Sequence, residues 1–143
     1  MRALLDVNML IALGDARHPH HARAQTWRQA EMAPHGWASC PLTENGFLRI
    51  VTQPSYKNPV PFPEALAVLQ RLVARPDHEF WPDDASILDA ALIDHTRLLS
   101  PKKITDVYLL ALAVKHGGRL VTLDTGISHR AARGARPEQL MVV

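Results

Sequence analysis

The chain has 143 residues, 47% of them hydrophobic and 21% charged, enough for one domain with a continuous core and an ordinary soluble balance. No apolar run approaches the roughly 20 residues needed to cross a bilayer, and the single Cys40 excludes both an internal disulfide and a cysteine metal site. A net charge of +2, with eight histidines and a pI near 9.0, permits an RNA partner but lacks the clear excess of a strong nucleic-acid binder. Asp6 interrupts the N-terminal stretch too early for a signal peptide, so a cytoplasmic location is expected.

Arg2 to Val7 reads as a short buried strand, apolar on both faces at Ala3-Leu4-Leu5. Met9 to Leu13 continues as a helical turn, broken by Gly14-Asp15 and His18-Pro19. A helix follows from His20 to Met32, with Ala22, Trp27 and Ala30 turned to the core, and Pro34-His35-Gly36 ends it. Trp37 to Cys40 is a second strand, and Thr43 opens a helix through Val51 with Phe47, Leu48, Ile50 and Val51 as its apolar side. Pro54, Pro59, Pro61 and Pro63 forbid regular structure from Gln53 to Pro63. Pro63 and Glu64 suit the first turn of the next helix, which carries Leu66, Leu69, Leu72 and Val73.

Glu79 to Pro82 is a third strand, and Asp84 to Leu99 suggests one or two further helices. Ile104 to His116 is the clearest element: Val107, Leu110, Ala111 and Val114 fall at helical spacing, and Gly117-Gly118 stops it. Arg119 to Leu123 and Leu140 to Val143 complete the strands. Short apolar strands alternating with helices predict a parallel sheet covered on both faces, with right-handed connections. No repeat or linker divides residues 1–143, so one domain is expected.

Four acids then fall at equivalent points. Asp6 ends the first strand, Glu44 begins the helix after the second, Asp124 follows the strand from Arg119, and Asp106 starts the helix before that strand. In such a sheet, strand carboxyl ends and helix N-termini share one edge, the edge where ligand sites form. Each acid alone is explained by a helix dipole or a turn; four on one edge is not a chance scatter. Two ionised carboxylates about 4 Å apart repel by roughly 4 kcal/mol at an effective dielectric near 20. A divalent cation relieves that repulsion, and an all-oxygen set favours Mg²⁺ or Mn²⁺ over Zn²⁺.

Asn8, Thr43, Thr105 and Thr122 lie within two positions of these acids and are candidates to orient them, although Thr43 and Thr105 also suit N-caps. Arg49, Lys102 and Lys103 are the basic groups nearest these acids and so the first candidates to meet a phosphate if the substrate carries one, with Arg130, Arg133 and Arg136 as a basic tail. His18, His20 and His21 fit no zinc motif, and Trp27, Trp37 and Trp81 are expected in the core rather than stacked on bases.

Leu5-Asp6-Val7-Asn8, Thr43-Glu44-Asn45-Gly46, Ile104-Thr105-Asp106-Val107-Tyr108-Leu109-Leu110-Ala111 and Thr122-Leu123-Asp124 together resemble a PIN domain, and more narrowly the VapC toxins of prokaryotic toxin–antitoxin pairs. The resemblance spans essentially the whole chain. It implies a three-layer α/β/α fold, Mg²⁺- or Mn²⁺-dependent cleavage of RNA at an acidic quartet of Asp6, Glu44, Asp106 and Asp124, a homodimer, and a cognate antitoxin that occludes the site. Val7 departs from the pattern, standing where a small hydroxyl residue is usual.

A metal-activated water attacking in line would leave 5′-phosphate and 3′-hydroxyl ends, with no protein nucleophile. An aspartyl phosphotransferase is disfavoured, since Asn8 stands where its second acid belongs and no later lysine is suitably placed. A catalytically silent RNA- or partner-binding module of the same fold is the remaining rival, and it expects eroded carboxylates. An acidic pocket also invites inhibition by a partner's inserted arginine or lysine.

Overall fold

A computed structural model describes residues 1–143. The strands are β1 (Ala3–Leu5), β2 (Trp37–Ser39), β3 (His78–Phe80), β4 (Arg119–Thr122) and β5 (Leu140–Val142), in the spatial order β3-β2-β1-β4-β5, all paired parallel. The helices are α1 (Val7–Gly14), α2 (His21–Trp27), α3 (Ala33–His35), α4 (Pro41–Val51), α5 (Phe62–Val73) and α6 (Ile104–Lys115).

Strand alternation sorts the core into two layers. Ala3, Leu5, Trp37 and Val121 face a cluster that includes Met9 and Leu13 of α1, Ala24 and Trp27 of α2, Phe47 of α4 and Leu69 of α5. Leu4, Ala38 and Leu120 face the other layer, built from Val107 to Ala113 of α6 with Trp81 and Ile93. The fold is therefore three-layered, as expected. Trp27, Trp37 and Trp81 are all core residues, at 6%, 0% and 3% exposure. No helix is long and apolar enough to cross a membrane.

Several local expectations are corrected. β1 ends at Leu5, because Asp6 caps α1: its Oδ1 accepts from the Met9 N–H at 2.6 Å and Val7 is already helical. α2 buries Ala24 and Trp27 and exposes Ala22; the π-helical turn that follows over Arg28–Met32 then places Met32, five residues on, in the core and leaves Ala30 exposed. α4 starts at Pro41 with Cys40 as its cap, so Thr43 is inside the first turn. α6 is capped by Lys103, so Thr105 is likewise not a cap.

Asp84 to Leu99 forms no α-helix, only a 3₁₀ turn at His95–Arg97. Its polar side chains hold the backbone in turns instead. Ser86 Oγ accepts from the Leu88 N–H at 3.1 Å, Asp89 Oδ1 from the Ala91 N–H at 2.8 Å and Asp94 Oδ1 from the Thr96 N–H at 3.2 Å. These local bonds compete with the helical ladder.

α1 and α4 cross very closely. A Cβ built on Gly46 would lie 2.6 Å from a Val7 methyl. Val7, the residue that departs from the usual pattern, thus fills the notch that a glycine in α4 provides.

Candidate active site

The chain order β1, β2, β3 runs outward on one side of β1, and β4 returns on the other. The crevice between the carboxyl ends of β1 and β4 is therefore the point where strand order reverses, the usual ligand position of an open parallel sheet. Asp6 and Asp124 flank it directly.

Asp6 is buried at 3% exposure, and Thr122 Oγ1 donates to its Oδ2 at 2.5 Å. The same Thr122 oxygen accepts the Asp124 N–H at 2.9 Å, so one hydroxyl ties the two acids together. Burial pushes the Asp6 carboxyl up to about 6, against the lowering effect of its two hydrogen bonds, and the charges of Asp106 and Asp124 raise it further. Asp106, in the first turn of α6, is half-buried; burial and then the Asp124 charge hold its carboxyl above the ordinary range. Asp124 moves the other way. The Lys103 ammonium donates to its Oδ2 at 2.5 Å and the Gly126 N–H to its Oδ1 at 2.7 Å, and both keep it ionised. The three aspartates thus share one electrostatic neighbourhood with Lys103 as counter-ion.

Glu44 lies on the same sheet edge, but one strand away from the β1–β4 crevice, and its carboxylate faces elsewhere. Ser39 Oγ donates to Glu44 Oε1 at 2.6 Å and stands 2.8 Å from His78 Nε2. Because the Ser39 proton goes to Glu44, the hydroxyl accepts from His78, so a His78–Ser39–Glu44 chain holds the glutamate toward β3. His78 itself packs on Trp37 with ring centroids 4.5 Å apart. The sequence reading missed Ser39 and His78; a buried serine at the end of a parallel strand was the only available signal. No three His, Cys, Asp or Glu side chains stand together as a finished metal cage.

The remaining candidates divide. Thr122 orients both strand-end acids. Thr43 serves α4, taking the Cys40 N–H at 3.0 Å and donating to the Cys40 carbonyl at 3.1 Å. Thr105 is exposed, beside Leu42 and Tyr108. Asn8 is exposed and lines a groove with His18, His20 and Asp124. Lys102 and Arg49 are exposed, with Arg49 about 140° round α4 from Glu44 at helical pitch. Lys103, read as a phosphate contact, instead sits on Asp124. Arg133 and Arg136 pair locally with Asp94 and Glu138. Burial pushes the Cys40 thiol up to about 11, which removes it as a nucleophile.

The tie made by Thr122 predicts that Thr122→Val lowers activity by about 10- to 100-fold and also costs about 1 to 3 kcal/mol of stability, because the buried Asp6 carboxylate and the Asp124 N–H lose their partner. Steady-state cleavage kinetics beside thermal unfolding measure it.

The PIN domain family profile matches residues 3–133. The chain belongs to the PIN-domain family. Its relatives include Ribonuclease VapC44 of Mycobacterium tuberculosis, 49% identical over 140 residues and covering 98% of each chain. Ribonuclease VapC39 of the same organism is 41% identical over 135 residues, covering 94% of this chain and 96% of its own. Among solved structures, M. tuberculosis VapC20, described as a Sarcin-Ricin loop cleaving toxin, superposes with a TM-score of 0.62 at 13% identity over 94% and 96% of the two chains. VapBC2 from Rickettsia felis, bound to a DNA fragment from its promoter, gives 0.61 at 13% identity, over 100% of this chain and 98% of the other. These distant structures bear on the fold. Within the PIN family, the curated relatives make this a VapC-type domain, and the acids at its strand ends lie inside the matched region.

Proposed function

We propose that this PIN domain is the toxin of a toxin–antitoxin pair and cleaves RNA internally at Asp6, Asp106 and Asp124 with Mg²⁺ or Mn²⁺, Glu44 completing the acidic set. The observation that carries the reading is the buried Asp6 carboxylate, flanked by two further aspartates at the β1–β4 switch point. A buried anion among like charges is costly unless a cation joins it, and oxygen donors suit hard divalent ions. Two close relatives named ribonucleases support the substrate class.

A divalent ion held there would supply a water of lowered pKa and charge neutralisation at the phosphate. The chain's own groups do the rest. Asp6 is fixed by Met9 and Thr122, so it offers a rigid anchor. Asp106 has no hydrogen-bond donor of its own and remains an open acceptor for cation or water. Glu44 joins by turning from Ser39 toward the crevice.

The test is incubation of the partner-free chain with total RNA and defined single strands, with Mg²⁺, Mn²⁺ or chelator, followed by end mapping. Metal-dependent cuts with 5′-phosphate and 3′-hydroxyl ends are expected; 2′,3′-cyclic phosphate ends would falsify the metal-water route.

The Lys103–Asp124 pair also suggests how an antitoxin silences the site, by presenting a further cation to the same acids. Within this reading Lys103 competes with metal. Lys103→Met is expected to tighten Mn²⁺ binding about fivefold, roughly 1 kcal/mol after solvent screening of a pair that is partly exposed. Titration calorimetry measures it, and weaker binding would make Lys103 a support of Asp124 instead. A homodimer belongs to the same proposal and is checked by sedimentation.

A further inference from the structure

His18, Pro19 and His20 form the turn from α1 into α2. The His20 N–H donates to His18 Nδ1 at 3.1 Å, which requires that nitrogen to be unprotonated. His18 is thereby fixed as the neutral tautomer with its proton on Nε2, a donor that no protein group takes up. The two rings lie with centroids 5.7 Å apart and tilted by 49°. His21 is different, because its Nδ1 is already engaged with the Ala12 carbonyl at 2.7 Å.

His18 and His20 line an open groove of about 460 Å³ with Asn8, Leu123, Asp124 and Thr125. Asp124 belongs to the acidic cluster, so the groove runs directly into the candidate active site. Its lining narrows what it can hold. Leu123 is its only hydrophobic residue, which disfavours an apolar peptide. It has no lysine or arginine, which disfavours a phosphate cradle. The His18 Nδ1 is spent on backbone, and no three-ligand metal set exists there.

What remains is a tilted pair of imidazole rings, an imidazole N–H, a carboxamide and a hydroxyl beside the proposed phosphodiester-cleaving centre. That combination suits an unstacked base and its ribose, recognised by stacking and edge hydrogen bonds. Resting on the RNA-cleaving reading, we propose that His18 and His20, with Asn8 and Thr125, form the subsite for the nucleotide adjoining the scissile phosphate. Recognition there is by a base and not by charge, so this part of the affinity is insensitive to salt.

The experiment uses the full chain carrying Asp106→Asn, so that RNA binds without being cut. Fluorescence anisotropy with labelled oligo(A) and oligo(U) is compared before and after adding His18→Ala with His20→Ala, and again with Phe at both positions. The alanine pair is expected to weaken RNA binding about tenfold, the usual scale for a lost base–aromatic stack, and the phenylalanine pair to recover most of it. The slope of affinity against salt should stay unchanged, as should Mn²⁺ binding by calorimetry in the otherwise native chain.

Equal RNA binding by all variants overturns the subsite while leaving the nuclease reading intact. A smaller salt slope would make the histidines phosphate contacts, and lost Mn²⁺ binding would make them metal ligands; either overturns the proposal. A native chain that neither binds nor cuts RNA removes both readings together.

Discussion

Asp106→Asn is expected to abolish RNA cleavage, by about 1000-fold or more, while leaving folding and RNA binding intact. Even groups that merely support a metal ligand cost about 10- to 100-fold when lost, so a direct ligand should cost more. Asp106 is the best of the acids for this test because its side chain carries no structural burden. Asp6 caps α1 and Asp124 closes the loop to Gly126, whereas the Asp106 carboxylate makes no hydrogen bond within the chain. A loss of activity at Asp106 is therefore chemical and not a consequence of misfolding. Cleavage of a defined RNA with saturating Mn²⁺, with circular dichroism as the folding control, measures it. Activity within about tenfold of the native chain would move catalysis away from this cluster.

The second large effect is on stability, and it has an unusual sign. The Asp6 carboxyl is raised to about 6 in the folded chain from an ordinary value of 3.8. The folded state therefore holds the proton more tightly than the unfolded state. The stability this group contributes is full below the unfolded value and is lost as pH rises through that window. At neutral pH the metal-free fold carries a charged, buried Asp6 at a cost on the order of 3 kcal/mol.

Asp106, raised for the same reasons, adds to the effect, and Asp124, lowered by Lys103, opposes it. Asp6→Asn keeps an oxygen to cap α1 and removes the charge. It is expected to raise neutral-pH stability by about 2 kcal/mol and to flatten the pH dependence, measured by urea unfolding near pH 4 and near pH 7. Saturating Mn²⁺ should stabilise the native chain and not the variant, because an ion bound only to the folded state adds its binding energy. A variant less stable than the native chain at neutral pH would mean that Asp6 is ionised at little cost.

The strands, the sheet class and α6 were legible because they rest on apolar patterning: short runs buried on both faces in β1, β2 and β4, and the apolar run of α6 between Ile104 and Gly117. The edge shared by the four acids was legible for the same reason, since it follows from strand ends and helix starts. What patterning does not carry is side-chain direction. Glu44 occupies the expected place on the chain, but its carboxylate goes to Ser39, a contact set by the parallel neighbour β3 and its His78. Lys103 reads from the sequence as a candidate phosphate contact, and only the return of β4 beside β1 brings Asp124 to it. The misread segment from Asp84 to Leu99 failed differently: turn-forming side chains outweighed a weak helical pattern.

The contact between Val7 and Gly46 fixes how closely α1 and α4 cross, and with it the spacing between the two helix starts that carry Asp6 and Glu44. Val7 follows Asp6 and Gly46 follows Glu44 by two, so the crossing of α1 and α4 acts as a spacer gauge between the anchored Asp6 and the Glu44 that the proposed function brings to it. A single methyl at position 46 would strike a stiff Val7 side chain at 2.6 Å and force the helices apart. Gly46→Ala would thus yield a toxin with every carboxylate in place and its halves out of gauge. Pairing it with Val7→Ala would reopen the notch, so the two changes together offer a way to disarm and re-arm the protein by distance alone.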